Sequence, residues 1–163
     1  MIDHEKATYE DLDHEHFARL QRFLNLSFTE LQKIDDFWAV GDIVEQLENP
    51  NLHPEVGKYV FMSISPQAVI DVAELLGLPV GTLFNDDVSD FRFVTTLERW
   101  ERGLPVDPPT VSIGSKPGTL SISDGRHRLI LANFINKKSI PIAVLISQAE
   151  IISGLLGVQC PHF

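Results

Sequence analysis

The run Ile140-Pro141-Ile142-Ala143-Val144-Leu145-Ile146 contains no polar residue, so as a strand it has no face to give to water. A chain that carries it must build a sheet and cover both sides of that strand. Neighbouring strands can be read nearby. Tyr59 to Ile64 has strand-like composition and stops at Ser65-Pro66, where Ser65 can cap a helix and Pro66 can occupy its first turn. Val111 and Ile113 alternate with polar neighbours, as do Leu120 and Ile122, and Gly114 to Gly118 lies between them. That pattern predicts a hairpin.

The covering layers are helical in pattern. From Asp3 to about Asp36, Phe17, Leu20, Phe23 and Leu24 recur at helical spacing, and Ser27-Phe28-Thr29-Glu30 is a capping-box pattern that starts a new helix. Leu31 and Ile34 continue an apolar face towards Phe37 and Trp38, and Ile43, Val44 and Leu47 form a second amphipathic piece. Residues 1–57 thus read as a helical layer. A helix after Pro66 would turn Val69, Val72, Ala73 and Leu76 inward and close at Gly77. Further helices are predicted from about Phe93 to Arg102, from Arg126 to Ile135, and from the second capping box, Ser147 to Glu150, up to Gly154. Trp38 and Trp100 sit within apolar patterns and are expected to pack in the core. The class is α+β: a small mixed sheet with flanking helices, preceded by an acidic N-terminal helical layer. Residues 1–57 would be the extension and 58–163 the main domain, packed as one globular unit.

Charge bears on function. The net charge is −10 over 163 residues. Residues 1–90 hold 18 acidic side chains against 5 basic ones, and residues 91–163 hold 5 against 8. The first half therefore disfavours nucleic acid and could meet a basic protein partner, whereas the second half can attract a small anion. The single cysteine, Cys160, excludes an internal disulfide framework and a cysteine-rich zinc site. The first residues are charged, with no apolar run behind them, and no stretch is long enough to span a bilayer. The expectation is a soluble, cytoplasmic protein with no membrane partner.

The segment with chemistry in it is Ser123-Asp124-Gly125-Arg126-His127-Arg128, between a strand and a buried helix. Gly125 lets the backbone turn tightly, and the helix that follows presents unpaired N–H groups and the positive end of its dipole. Arg126, His127 and Arg128 add positive donors on the same turn. Arginine grips phosphate in a bidentate manner, and His127 can donate or move a proton near neutral pH. A plain reading stands beside this one, with Asp124 as a cap and the arginines solvated. Positive charges at a helix N-terminus work against its dipole, however, by a few tenths to about 1 kcal/mol each. Two arginines placed there suggest that an anion compensates them.

The stretch from about Phe93 to Ile146 resembles the ParB/sulfiredoxin superfamily. The resemblance rests on Leu97-Glu98-Arg99-Trp100-Glu101-Arg102-Gly103, Pro109-Thr110-Val111-Ser112-Ile113, Asp124-Gly125-Arg126-His127-Arg128 and Ser139-Ile140-Pro141-Ile142-Ala143-Val144, in that order. It implies that Gly125, Arg126, His127 and Arg128 take the phosphates of a nucleoside triphosphate, ATP or CTP, with Mg²⁺ as a possible companion. His127 and Asp124 would be the catalytic pair of a phosphotransfer or phosphohydrolase enzyme of kinase, NTPase or nuclease type. Sulfiredoxins carry their reactive cysteine in the box where this chain has Arg126, so sulfiredoxin chemistry is not expected. The family's serine kinases use a glutamate soon after the first strand, and here Ser65-Pro66-Gln67 follows. A kinase would need Glu98 or Glu101 to approach from the helix instead. The alternatives are a non-catalytic interaction or immunity-type module acting through the acidic half, and a DNA-associated ParB-like regulator.

Other signals are weaker. Val72 to Leu83 is similar to the middle of a helix-turn-helix, but Asn85, Asp86, Asp87 and Asp90 follow with no base before Arg92. His14 and His16, two apart on a helix, would diverge by about half a turn, so no metal site is read there. His53 and His162 read as loop residues.

Overall fold

The computed structural model describes residues 9–75 and 87–161. The apolar run forms β5 (Ile140–Leu145), and it lies where its composition demands, inside a five-stranded mixed sheet. The other strands are β1 (Tyr59–Ile64), β2 (Ala73–Glu74), β3 (Thr110–Ile113) and β4 (Leu120–Asp124). Their spatial order is β1-β5-β3-β4-β2. β1 runs antiparallel to β5 with Tyr59 opposite Leu145, and β3 runs parallel to β5 with Val111 opposite Val144. β3 and β4 form the expected antiparallel hairpin.

The helices are α1 (Tyr9–Leu24), α2 (Phe28–Gln32), α3 (Pro66–Val72), α4 (Asp87–Glu101), α5 (Arg126–Phe134) and α6 (Ala149–Leu156). Leu129, Ile130 and Leu131 of α5, Ile142 and Val144 of β5, and Phe93 and Leu97 of α4 share one core with Phe23, Leu31 and Trp38 from the first part of the chain. Trp38 and Trp100 meet edge to face, with centroids 5.5 Å apart, and Trp38 forms an isolated parallel bridge with Val106. No helix among the described residues is long and apolar enough to cross a membrane.

The Ser27–Glu30 capping box is present, with Ser27 Oγ accepting from the Glu30 N–H and Glu30 Oε1 from the Ser27 N–H, both at 3.1 Å. Elsewhere the helical reading needs correction. Ile43, Val44 and Leu47 do not make an α-helix, because Gly41–Gln46 is a 3-10 segment with a kink at Ile43. Two further 3-10 turns follow, Pro50–Leu52 and Pro54–Val56, each with proline in its first turn. Phe17 and Leu24 point outward, 62% and 45% exposed, whereas Phe23 is buried. α6 runs through Gly154 and closes at Gly157, whose φ of 69° is left-handed. The second capping box is replaced by a 3-10 turn, Ile146–Gln148, and α6 has no side-chain cap.

The largest departure is after Pro66. α3 stops at Val72, and Ala73–Glu74 becomes β2, parallel to Leu120 and Ser121 of β4. Tertiary hydrogen bonds override the helical pattern here. The Glu74 carboxylate accepts from Thr119 Oγ1 at 2.6 Å, Ser115 Oγ at 2.8 Å and the Lys116 N–H at 3.0 Å. Gly114 admits this close approach, since a Cβ there would come within 2.7 Å of Glu74 Oε1 and 2.8 Å of the Thr119 carbonyl carbon. The cap expected at Gly77 and most of the helix-turn-helix-like segment lie outside the described residues, as do the side chains of His14 and His16, and His162.

The same donors hold the Glu74 carboxyl down to about 2, with the Thr119 hydroxyl contributing most. A carboxyl lowered on folding adds stability that is fully present above its ordinary value of 4.5. That stability is lost as the pH falls towards and through the lowered value. Glu74→Gln is therefore expected to melt at a lower temperature than the parent at pH 7. The gap should narrow as the pH falls from about 4.5 to about 2. Thermal melts of both proteins across that range check it, and a gap independent of pH would contradict the assignment.

Candidate functional site

β4 delivers the Ser123–Arg128 segment to its place. Asp124 is the last residue of the strand, Gly125 turns the chain, and Arg126 opens α5. Gly125 has φ 87°, and it is the N-cap of α5 without a side-chain hydrogen bond. No acidic residue stands in the first turn. The helix therefore begins with its dipole uncompensated by any carboxylate of its own turn. Asp124 does not cap it. Its carboxylate lies 3.3 Å from Arg128 Nη2.

Arg128 is anchored by the main chain as well as by Asp124. Its Nε donates to the Asp107 carbonyl at 2.9 Å, and its side chain is 21% exposed. Asp107 is buried, and its own carboxylate accepts from the backbone N–H groups of Glu48 and Asn49 at 2.8 and 2.9 Å. One residue thus holds the link between the Gly41–Gln46 and Pro50–Leu52 3-10 segments with its side chain, and Arg128 with its main chain. His127 is half-buried, its ring edge to face with Phe93 at 5.5 Å.

A cavity of about 610 Å³ opens beside this turn. Asp124, Gly125, His127 and Arg128 form one wall, and Phe91, Arg92, Thr95 and Thr96 of α4 form the other. A narrower recess of about 140 Å³ continues past Asp124 and Arg128 towards Glu48, Arg99 and Asp107. Of the four residues expected to bind phosphate, Gly125, His127 and Arg128 line the cavity. Arg126 is on the same turn but does not line it. Both members of the expected catalytic pair, His127 and Asp124, are on the wall.

The wall from α4 is what the sequence reading missed. Arg92 is exposed at the cavity and has no ion-pair partner among the described residues. Thr95 and Thr96 donate their hydroxyls to the carbonyls of Phe91 and Arg92, which leaves the hydroxyl oxygens able to accept. The spacing 91, 92, 95, 96 is one face of a helix and was available as a signal. Glu98 and Glu101, the acids a kinase would need from this helix, face elsewhere. Glu98 pairs with Arg19 at 2.6 Å and Glu101 with Arg22 at 2.7 Å, both residues of α1.

The wall's chemistry suits a phosphorylated ligand. Arg92 and Arg128 supply charge, the first turn of α5 supplies its dipole, and the volume falls within the usual range for small-molecule sites. Asp124, 63% exposed, is the carboxylate that the described residues place on the wall. A Mg²⁺ ion accompanying a nucleotide would be held by Asp124 and the ligand's own phosphates. Among the described residues no group of three or more His, Cys, Asp or Glu is placed to hold a metal unaided. No protein-family model matches the chain, and no curated protein or solved structure is significantly similar to it.

Proposed function

We propose that this chain binds a nucleotide by its phosphates in the cavity between α4 and the Gly125–Arg128 turn, as a ParB/sulfiredoxin-like protein, and acts on it as a phosphotransferase or phosphohydrolase. One observation carries the reading. A 610 Å³ cavity meets an uncapped helix N-terminus flanked by Arg92, His127 and Arg128, in a chain whose net charge is −10. Arg92 and Arg128 would offset the phosphate charge, most strongly where charge builds up in the transition state. His127 would pass a proton to an oxygen leaving phosphorus, and Asp124 would hold Mg²⁺ and orient Arg128. The order of hairpin, box, buried helix and apolar strand supports the family reading.

A second reading has its own support. With Glu98 and Glu101 tied to α1, Asp124 is, among the described residues, the carboxylate on the cavity wall that could activate an acceptor. That favours a protein that binds a nucleotide without transferring its phosphate.

Calorimetric titration with ATP, ADP, CTP and GTP, with and without Mg²⁺, tests the site, and phosphate release tests the chemistry. Micromolar binding of at least one nucleotide is expected, with slow turnover that falls about 100-fold or more in folded His127→Ala. Binding with turnover unchanged in that variant would leave the binding module and remove the enzyme. A folded sample that binds none of them would discard the nucleotide site and bring forward a basic protein partner of the acidic half.

A further inference from the structure

A second cavity, of about 370 Å³, is built from the 3-10 segments that precede β1. Val44, Leu47 and Val56 give it an apolar lining, and Val56 is 47% exposed. Glu45, Glu55 and His53 bring polar groups to it, and no lysine or arginine lines it. His53 ties its two acidic neighbours together. Its Nδ1 accepts from the Glu55 N–H at 3.1 Å, so the ring proton is on Nε2, which donates to Glu45 Oε1 at 2.8 Å. Pro50 and Pro54, each in the first turn of its 3-10 segment, stiffen the backbone around the groove. Little ordering is therefore left for a ligand to impose.

The charge at this groove is not neutralised from within the chain. Among the described residues, the Glu45 and Glu55 carboxylates pair with no lysine or arginine. From residue 34 to residue 57 the sequence holds six acidic side chains and no lysine or arginine. An apolar hollow rimmed by such carboxylates matches a side chain with an aliphatic stem and a cationic head, which is lysine or arginine. The same charge repels nucleic acid. We propose that this groove docks a basic segment of a protein partner. The stem of one lysine or arginine packs on Val44, Leu47 and Val56, and its head meets Glu45 and Glu55. The apolar lining also favours an apolar residue beside the cation. This surface does not rest on the phosphate site proposed above.

The probe is a short fluorescent peptide of arginines and leucines in a glycine–serine background, titrated with the full chain and followed by anisotropy. Binding at about 100 µM or tighter is expected at low salt, weakening as salt is added. Replacing the leucines by serine should weaken it about threefold or more. Glu45→Lys/Glu55→Lys should weaken it about tenfold or more. Asp35→Lys/Glu150→Lys changes the net charge equally at exposed acids outside the groove, and should weaken binding by less than about twofold. In the ¹⁵N-labelled parent, the amide shifts caused by the peptide should centre on residues 44–56, a readout that needs no variant to fold. Equal losses in the two charge-reversed proteins, or shifts centred elsewhere, would show diffuse attraction and overturn the groove. A serine peptide that binds as well as the leucine one, or no binding to the folded parent, would overturn it too.

Discussion

Gly125→Ala should both destabilise the fold by roughly 2–4 kcal/mol and abolish measurable nucleotide binding. Gly125 has φ 87°, where any residue with a Cβ is strained by about 1–2 kcal/mol. The added Cβ would also meet the Pro109 Cα at 2.9 Å and Arg128 Nη2 at 2.8 Å. Pro109 cannot give way easily, because its carbonyl accepts from the Ala143 N–H of β5 at 2.8 Å. Arg128 can move, but only by leaving the Asp107 carbonyl and Asp124. The strain and the overpacking each cost a few kcal/mol at most, and together they take a large share of a typical domain's stability. Chemical denaturation checks the first part and calorimetry the second. A variant as stable as the parent would show that the turn is more tolerant than its geometry indicates.

Arg128→Ala should lower nucleotide affinity by about ten- to a hundredfold, from the loss of one or two charge-assisted hydrogen bonds to phosphate. Arg128→Lys should recover little of it. The guanidinium reaches the Asp107 carbonyl through Nε and Asp124 through Nη2, and lysine cannot hold one partner with one nitrogen and present others to a ligand. The remaining weak binding should be less sensitive to salt than that of the parent. Titrations at low and moderate ionic strength for the parent and both variants measure this. Full affinity in Arg128→Lys would mean that only the charge matters, and the anchored geometry would lose its role.

How far the sequence revealed this arrangement depended on how local each signal was. The run Ile140 to Ile146 marked β5 because an entirely apolar strand has only one kind of place to be. The Asp124–Arg128 turn was readable because its backbone turn, helix start and charges are contiguous. Phe91, Arg92 and Thr95 share a helix face by their spacing, but that this face lines a cavity depends on how α4 sits against α5, which no local pattern states. Ala73 and Glu74 followed a helical pattern, and what makes them a strand is distant in the chain: pairing with Leu120 and Ser121 of β4, beside the donors Ser115, Lys116 and Thr119 that hold the Glu74 carboxylate. Glu98 and Glu101 were read as possible site residues because their partners, Arg19 and Arg22, are 79 positions away.

Asp107 also bears on where this chain can be divided. Composition shifts near residue 57, before β1, and that looks like a natural boundary. Yet the carboxylate of Asp107 is buried against the backbone of Glu48 and Asn49, and the Trp100 indole N–H donates to the Phe37 carbonyl at 2.9 Å. A cut at residue 57 would strip a buried anion of its donors and a buried indole of its acceptor, each a penalty of about 1–3 kcal/mol or more. The seam in composition is therefore not a seam in the fold. Recombination or truncation there would yield two fragments that each lack part of the other's interior, so the stretch from Phe37 to Asn49 has to be inherited together with the sheet it supports.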